Sequence, residues 1–276
     1  MKITAQQVNE LRKITGAGMM DCKNALVECE GDLENAIDVL RKKGQKVAAK
    51  RADRDAGEGV VLAKVSDDKK FAASIMINCE TDFVAINADF IAYVQSVLDV
   101  AVENRAADTD ALKALLLNGR TVEETVLDQT GVIGEKIQLG HYEVVEADSV
   151  YAYIHPGNRI ASTAGFNKTG DNLNDAGKDV VMQIAAMSPI ALDKGDISQE
   201  TIDREIEIGK DQARQEGKPE EMLEKIAMGK LNKFYKENTL VNQSFIKNTK
   251  QNVSQYLDSV EKGLTVTSFK RLALQR

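Results

Sequence analysis

The chain has 276 residues, 43% of them hydrophobic and 29% charged, with 36 Lys and Arg against 43 Asp and Glu for a formal charge of -7. That length supports two compact units plus a minor one, and no apolar run approaches the ~18 residues of a membrane helix. The acidic balance argues against stable nucleic-acid binding, which calls for a basic face, and Cys22, Cys29 and Cys79, without C-x-x-C spacing, argue against a disulfide framework or a thiolate zinc site.

The first fifty residues predict three short helices. Thr4 and Gln7 form a capping box ahead of an apolar stripe of Val8, Leu11 and Ile14 that ends at Gly16. A second helix carries Cys22, Ala25, Leu26 and Cys29 and stops at Gly31. Asp32 then caps a third, with Leu33, Ala36, Ile37 and Leu40, expected to end before Gly44. The six basic residues of "RKKGQKVAAKR", 41–51, read as a solvated linker or helix end, the part after Gly44 as a connector, with an RNA contact as the less favoured alternative.

From Gly57 the periodicity changes to alternation. "VVLAKV", the turn "SDDK" and "FAASIMINC" predict a hairpin with one apolar face, followed by a helix whose stripe is Phe90, Val94, Val97, Leu98 and Ala101. Residues 108–139 read as helical at "DALKALLL" and "TVEETVLDQTG", leading to the strand "EKIQLGHYEVV". The strand, strand, helix order then recurs in "SVYAYIH", "RIASTAGF" and "AGKDVVMQIAAM". A duplicated α+β core follows, with each sheet covered by helices. Residues 198–237 predict a helical hairpin broken at Gly217 and Lys218, with Pro219 at the first helical position of its second arm and Ile202, Ile206, Met222 and Ile226 as its seam. "LTVTSFKRLALQR" alternates like one more strand. The expected units are therefore 1–54, 55–145 and 146–276.

The local signatures of nucleotide hydrolysis, dinucleotide binding, acyl transfer and zinc hydrolysis are absent. The two histidines, His141 and His155, fall on different predicted strands, so neither makes a nucleophile pair with a cysteine. The features left resemble contacts. Gly16-Ala17-Gly18 precedes Met19 and Met20, which read either as core plugs or as an adaptable exposed patch. At "NCETDFVA", 78–85, residue chemistry alone predicts a helix start capped by Thr81 or Asp82, with Phe83 folded inward.

Three long segments, "LRKITGAGMMDCKNAL", "CETDFVAINADF" and "GKPEEMLEKIAMGKLNKFYKENTLVNQSF", resemble in order and spacing the elongation factor Ts family of bacteria and organelles. The resemblance covers essentially the whole chain. It implies a guanine-nucleotide exchange factor for elongation factor Tu, acting without covalent chemistry, metal or cofactor. It also implies a ubiquitin-associated-like three-helix domain at the N-terminus and a helical hairpin protruding from the second subdomain. Carried over by residue, it assigns Thr81, Asp82, Phe83 and Val84 to a wedge entering the nucleotide domain near its magnesium site. It assigns Arg12, Met19 and Met20 to a contact with a helix of that domain, which favours the exposed reading of the methionines, and His155 to a contact with another domain of the GTPase. The alternative from another class is a non-catalytic adaptor, or a module that forms a homodimer through the hairpin. Departures fall at Ala161 where the family carries glycine, at Ser244 where proline is common, and at the C-terminus, where a glycine-glutamate-glycine tail is lacking and reduced docking is expected. Without a leader rich in serine and arginine, the expected location is a bacterial cytoplasm.

Overall fold

The structure, a computed structural model, describes residues 3–274. Helix α1 (Ala5–Thr15) starts where the hydroxyl of Thr4 accepts from the Gln7 N–H and the Gln7 side chain accepts from the Thr4 N–H, and it ends on Gly16 at φ 69. Helix α2 (Met19–Glu28) and helix α3 (Leu33–Lys50), the latter capped by Asp32, close a small core of Val8, Leu11, Cys22, Ala25, Leu26 and Ala36. The third helix does not end before Gly44. It runs on to Lys50 with Gly44 buried inside it, because a helical glycine costs only about 1 kcal/mol and packing against a later helix outweighs that. The part after Gly44 is thus not a connector, and of the two expected forms of the basic stretch the structure has the helix end. Three of its cations are paired, Arg41 with Asp38, Lys43 with Asp21 and Arg51 with Glu80.

Strand β1 (Glu58–Val65) and strand β2 (Phe71–Cys79) form the expected antiparallel hairpin, followed by the single turn α4 (Asp82–Ala85) and by α5 (Ala88–Glu103). After α6 (Thr109–Ala114) the predicted helix breaks into a two-residue-turn hairpin, β3 (Leu116–Leu117) and β4 (Arg120–Thr121). Asn118 and Gly119 adopt φ 54 and 82, the left-handed pair that such a turn demands. Helix α7 (Val122–Ile133) then leads to β5 (Gln138–Glu146), which pairs with β2.

The second half repeats this plan: hairpin β6 (Ser149–Ile154) and β7 (Ile160–Phe166), helix α8 (Asn174–Met187), an excursion, and a third strand. The excursion holds α9 (Gln199–Gln215), α10 (Glu220–Asn238), β8 (Ser244–Phe245), β9 (Asn248–Asn252) and α11 (Val253–Val260), before β10 (Val266–Ala273) joins β7. The sheets are ordered β1-β2-β5 and β10-β7-β6, so in each the late strand pairs with the second strand of the hairpin.

The α+β layering explains the burial. Helix α5 covers one face of the first sheet with Phe90, Val94, Val97, Leu98 and Ala101, while α8 and α11 cover the second. The uncovered faces pack together through Val61, Ala63 and Met76 against Ala161, Leu272 and Leu274. The expected single apolar face of the first hairpin is therefore corrected, since β2 is buried along its whole length. Helices α9 and α10 lie along each other, but the seam differs from the expected one. Gly209, Ala213, Leu223, Ala227 and Leu231 are its buried residues and Met222 is exposed. A Cβ on Gly209 would sit 3.1 Å from the Ala227 Cα, so small residues set the helix separation there, while the expected Ile202, Ile206 and Ile226 are half-buried. Pro219 caps α10 one position before its first residue.

Candidate partner interface

The corner after β2 is built by caps. Thr81 is the N-cap of α4, its hydroxyl accepting from the Val84 N–H at 3.4 Å, and Asn87 caps α5 by accepting from Asp89 and Phe90. One turn of helix between two caps has a determined face. Ala85 is buried and Val84 packs half-buried on the first core, which sends Phe83 outward at 79% exposure. The expectation from residue chemistry that Phe83 folds inward is overturned, because Val84 and Ala85 already fill the inner side. Ile86, 74% exposed, lies three residues on and shares the outer face.

The corner is held from below by charges that the sequence did not single out. Glu135, in the loop after α7, accepts from the Glu80 N–H (3.1 Å), the Thr81 N–H (3.0 Å) and the Thr81 hydroxyl (2.7 Å). Glu80 itself receives both Arg51 contacts, at 2.7 and 2.9 Å, and the Lys136 N–H at 2.6 Å. The Lys136 amide and then the Arg51 guanidinium hold the Glu80 carboxyl below its ordinary range. Lys136 donates from Nζ to the carbonyls of Ala52 and Arg54, tying in the segment that leaves α3. Cys79, buried beside Glu135 and Glu58, has its thiol pushed up to about 12, mainly by loss of solvation, so it stays protonated and inert. The only local signal for this clamp was the acid inside "CETDF" and the arginine closing the basic run, since their partners lie far along the chain.

His155 stands exposed in the β6–β7 turn, with the Tyr153 hydroxyl 3.0 Å from its Nδ1. The structure brings this turn to the same end of the core as the corner. The Val61 N–H donates to the Asn158 carbonyl at 2.7 Å, and Arg159 is paired with Glu58 on β1. Glu58 holds the Arg159 guanidinium above its ordinary value, and the charge of Asp82 adds to the effect. Arg12, Met19 and Met20 lie apart from this cluster, at the end of α1 and the start of α2, all exposed, the methionines at 56% and 62%. Among the described residues no three His, Cys, Asp or Glu side chains converge as metal ligands would, and no helix is long and apolar enough to cross a membrane.

The corner thus presents Phe83 and Ile86, both exposed, on a turn held by the hydrogen bonds to Glu135. The family described as Elongation factor TS matches residues 80–276. Over 273 residues the chain is 54% identical to elongation factor Ts of Christiangramia forsetii, covering 99% of each. It is 52% identical over 274 residues to that of Cytophaga hutchinsonii, again with 99% of each covered. Against the Porphyromonas gingivalis protein of the same name, identity is 48% over 275 residues, with 99% of each covered.

Proposed function

The chain belongs to the elongation factor Ts family, and we infer from this that it binds elongation factor Tu and promotes GDP release and exchange for GTP by disturbing the magnesium and phosphate site. The observation that carries the reading is Phe83, 79% exposed on a turn pinned by Thr81, Glu80 and Glu135. Leaving a phenylalanine in water forfeits about 1.5–3 kcal/mol of burial, which a partner's groove recovers. Pinning matters for the same reason, because a mobile loop would lose the gain to its own ordering.

Bound GDP is held through its phosphates and a metal ion, so an aromatic wedge with a carboxylate beside it, Asp82, weakens that hold without touching the base. Thermodynamic linkage then fixes the cycle: a factor that weakens nucleotide binding is weakened equally by nucleotide, and is expelled when GTP arrives. Arg12, Met19 and Met20 act as a second grip and His155 as a third, adding to the affinity with which the wedge is held on its partner. No covalent step is required, and the work is done in the cytoplasm, where ribosomes are supplied with aminoacyl-tRNA.

The test is release of a fluorescent GDP analogue from elongation factor Tu by stopped flow, with and without this protein and its Asp82→Ala, Phe83→Ala double variant. Acceleration by the wild type that the folded double variant loses supports the reading. Tight partner binding without acceleration selects the adaptor instead. Light scattering of the free protein across concentrations decides whether the hairpin of α9 and α10 forms a homodimer.

A further inference from the structure

Helix α7 touches both halves of the proposed grip. Its face at Gly131 meets α3 at Gly44, and four residues later Glu135 holds the wedge corner. The crossing is closed by the two glycines. A Cβ built on Gly131 would lie 2.5 Å from the Gly44 Cα, whereas one built on Gly44 would meet the Gly131 Cα at 3.4 Å. Only hydrogen at Gly131 lets the backbones come this near, whereas a methyl at Gly44 would meet the opposing helix at ordinary contact distance. At the end of α3, Arg51 reaches Glu80 with two contacts, and Lys136 donates to the carbonyls of Ala52 and Arg54. Beside the crossing, the Gly16 turn that precedes Met19 and Met20 rests on Val132, since a Cβ on Gly16 would be 3.6 Å from a Val132 methyl carbon.

We propose that the α3–α7 crossing at Gly44 and Gly131, locked by Arg51 and Glu80, is a positioning device that holds the Met19 and Met20 patch at a fixed separation from Phe83, so that both engage one partner molecule at once. The proposal rests on the exchange reading for what the two contacts grip. Two contacts on one rigid body bind together at the ordering cost of one, whereas two contacts joined through segment 51–57 alone, with the crossing undocked, must each be ordered separately. Gly44 and Gly131 touch no partner in this scheme, and they act through the surfaces they hold apart.

The asymmetry of the crossing provides the test. Gly131→Ala and Gly44→Ala make the same chemical change in helices and gain the same helix propensity, but only the first places a methyl inside the opposing backbone. The full-length proteins are compared by amide hydrogen exchange over residues 41–50, by radius of gyration from small-angle scattering, by Kd for nucleotide-free elongation factor Tu, and by the maximal GDP release rate at saturating factor. Gly131→Ala is expected to speed exchange over 41–50, to enlarge the particle and to raise Kd about tenfold, while the maximal rate stays within about threefold of wild type because the wedge itself is intact. Gly44→Ala is expected to match wild type in all four. If the Gly131 variant shows no melting transition, Gly44→Leu forces the helices apart from the α3 side and carries the same expectations.

A variant that undocks by hydrogen exchange and scattering yet keeps the wild-type Kd overturns the proposal, and so does a Gly131→Ala protein that stays docked. A wild type that binds the GTPase but does not accelerate release overturns the exchange reading alone, because the Kd comparison still decides whether docking positions the two contacts.

Discussion

Replacing Phe83 with alanine separates surface from core most sharply. The side chain is 79% exposed and its inner neighbours Val84 and Ala85 make the contacts with the core. Its loss therefore falls in the range of surface substitutions, within about 0.5 kcal/mol, a melting shift of about 1–2 °C for a chain of this size. In the complex the ring is expected to be buried, and about 1.5–3 kcal/mol of burial corresponds to a roughly 10- to 150-fold loss of exchange rate. Stopped-flow release of labelled GDP at matched, subsaturating factor measures the rate, and differential scanning calorimetry measures the fold. A core phenylalanine would instead cost about 3–5 kcal/mol, so a melting temperature lowered by 6 °C or more would refute the reasoning. A release rate within threefold of wild type would refute it from the other side.

Three further outcomes follow from the same geometry. Glu135→Ala removes the acceptor of three hydrogen bonds beneath the corner; the expected effect is about 2 kcal/mol of lost stability and faster amide exchange at Thr81 to Ala85, and unchanged protection there would contradict the clamp. Glu80 has a folded pKa below its unfolded value, so its stabilisation is present above the unfolded pKa of about 4.3 and fades as pH falls through the folded one. The gap in melting temperature between wild type and Glu80→Gln should accordingly be constant above about pH 5.5 and close in acid, and a gap that widens in acid would reverse the sign. Ser74 and Thr163 carry buried hydroxyls that find no hydrogen-bond partner among the described residues, so Ser74→Ala and Thr163→Val should be neutral or stabilising by up to about 1 kcal/mol in urea denaturation, and a loss of about 2 kcal/mol would mean that the hydroxyls are satisfied.

Elements marked by local chemistry were legible from the residues. Thr4 with Gln7, Gly16 and Asp32 bound their helices as expected, and the alternation of "VVLAKV" and "FAASIMINC" gave the first hairpin. Asn118-Gly119 carried an equally local signal for a tight turn that the surrounding leucines obscured. Misreadings arose where a residue has two local meanings. Gly44 ends a helix or admits a neighbouring backbone, and Met222 reads as a seam residue of the hairpin but lies exposed. At Thr81 the cap was readable but the direction of Phe83 was not, because that depends on which neighbour, Val84 or Phe83, better fits a core assembled from β2 and α5.

What the sequence determined alone was the duplicated strand, strand, helix plan and the family, since caps, turns and periodicity act over a few residues and long motifs can be read directly. The tertiary structure decided which faces are buried: the two sheets lie back to back, so β2 has no solvent side. It also decided the clamp of Arg51, Glu80 and Glu135, which spans more than eighty positions of chain and forms only when α3, the corner and the end of α7 meet. Ion pairs and glycine contacts of that separation leave no periodic trace, because their geometry belongs to the folded chain and not to any stretch of it.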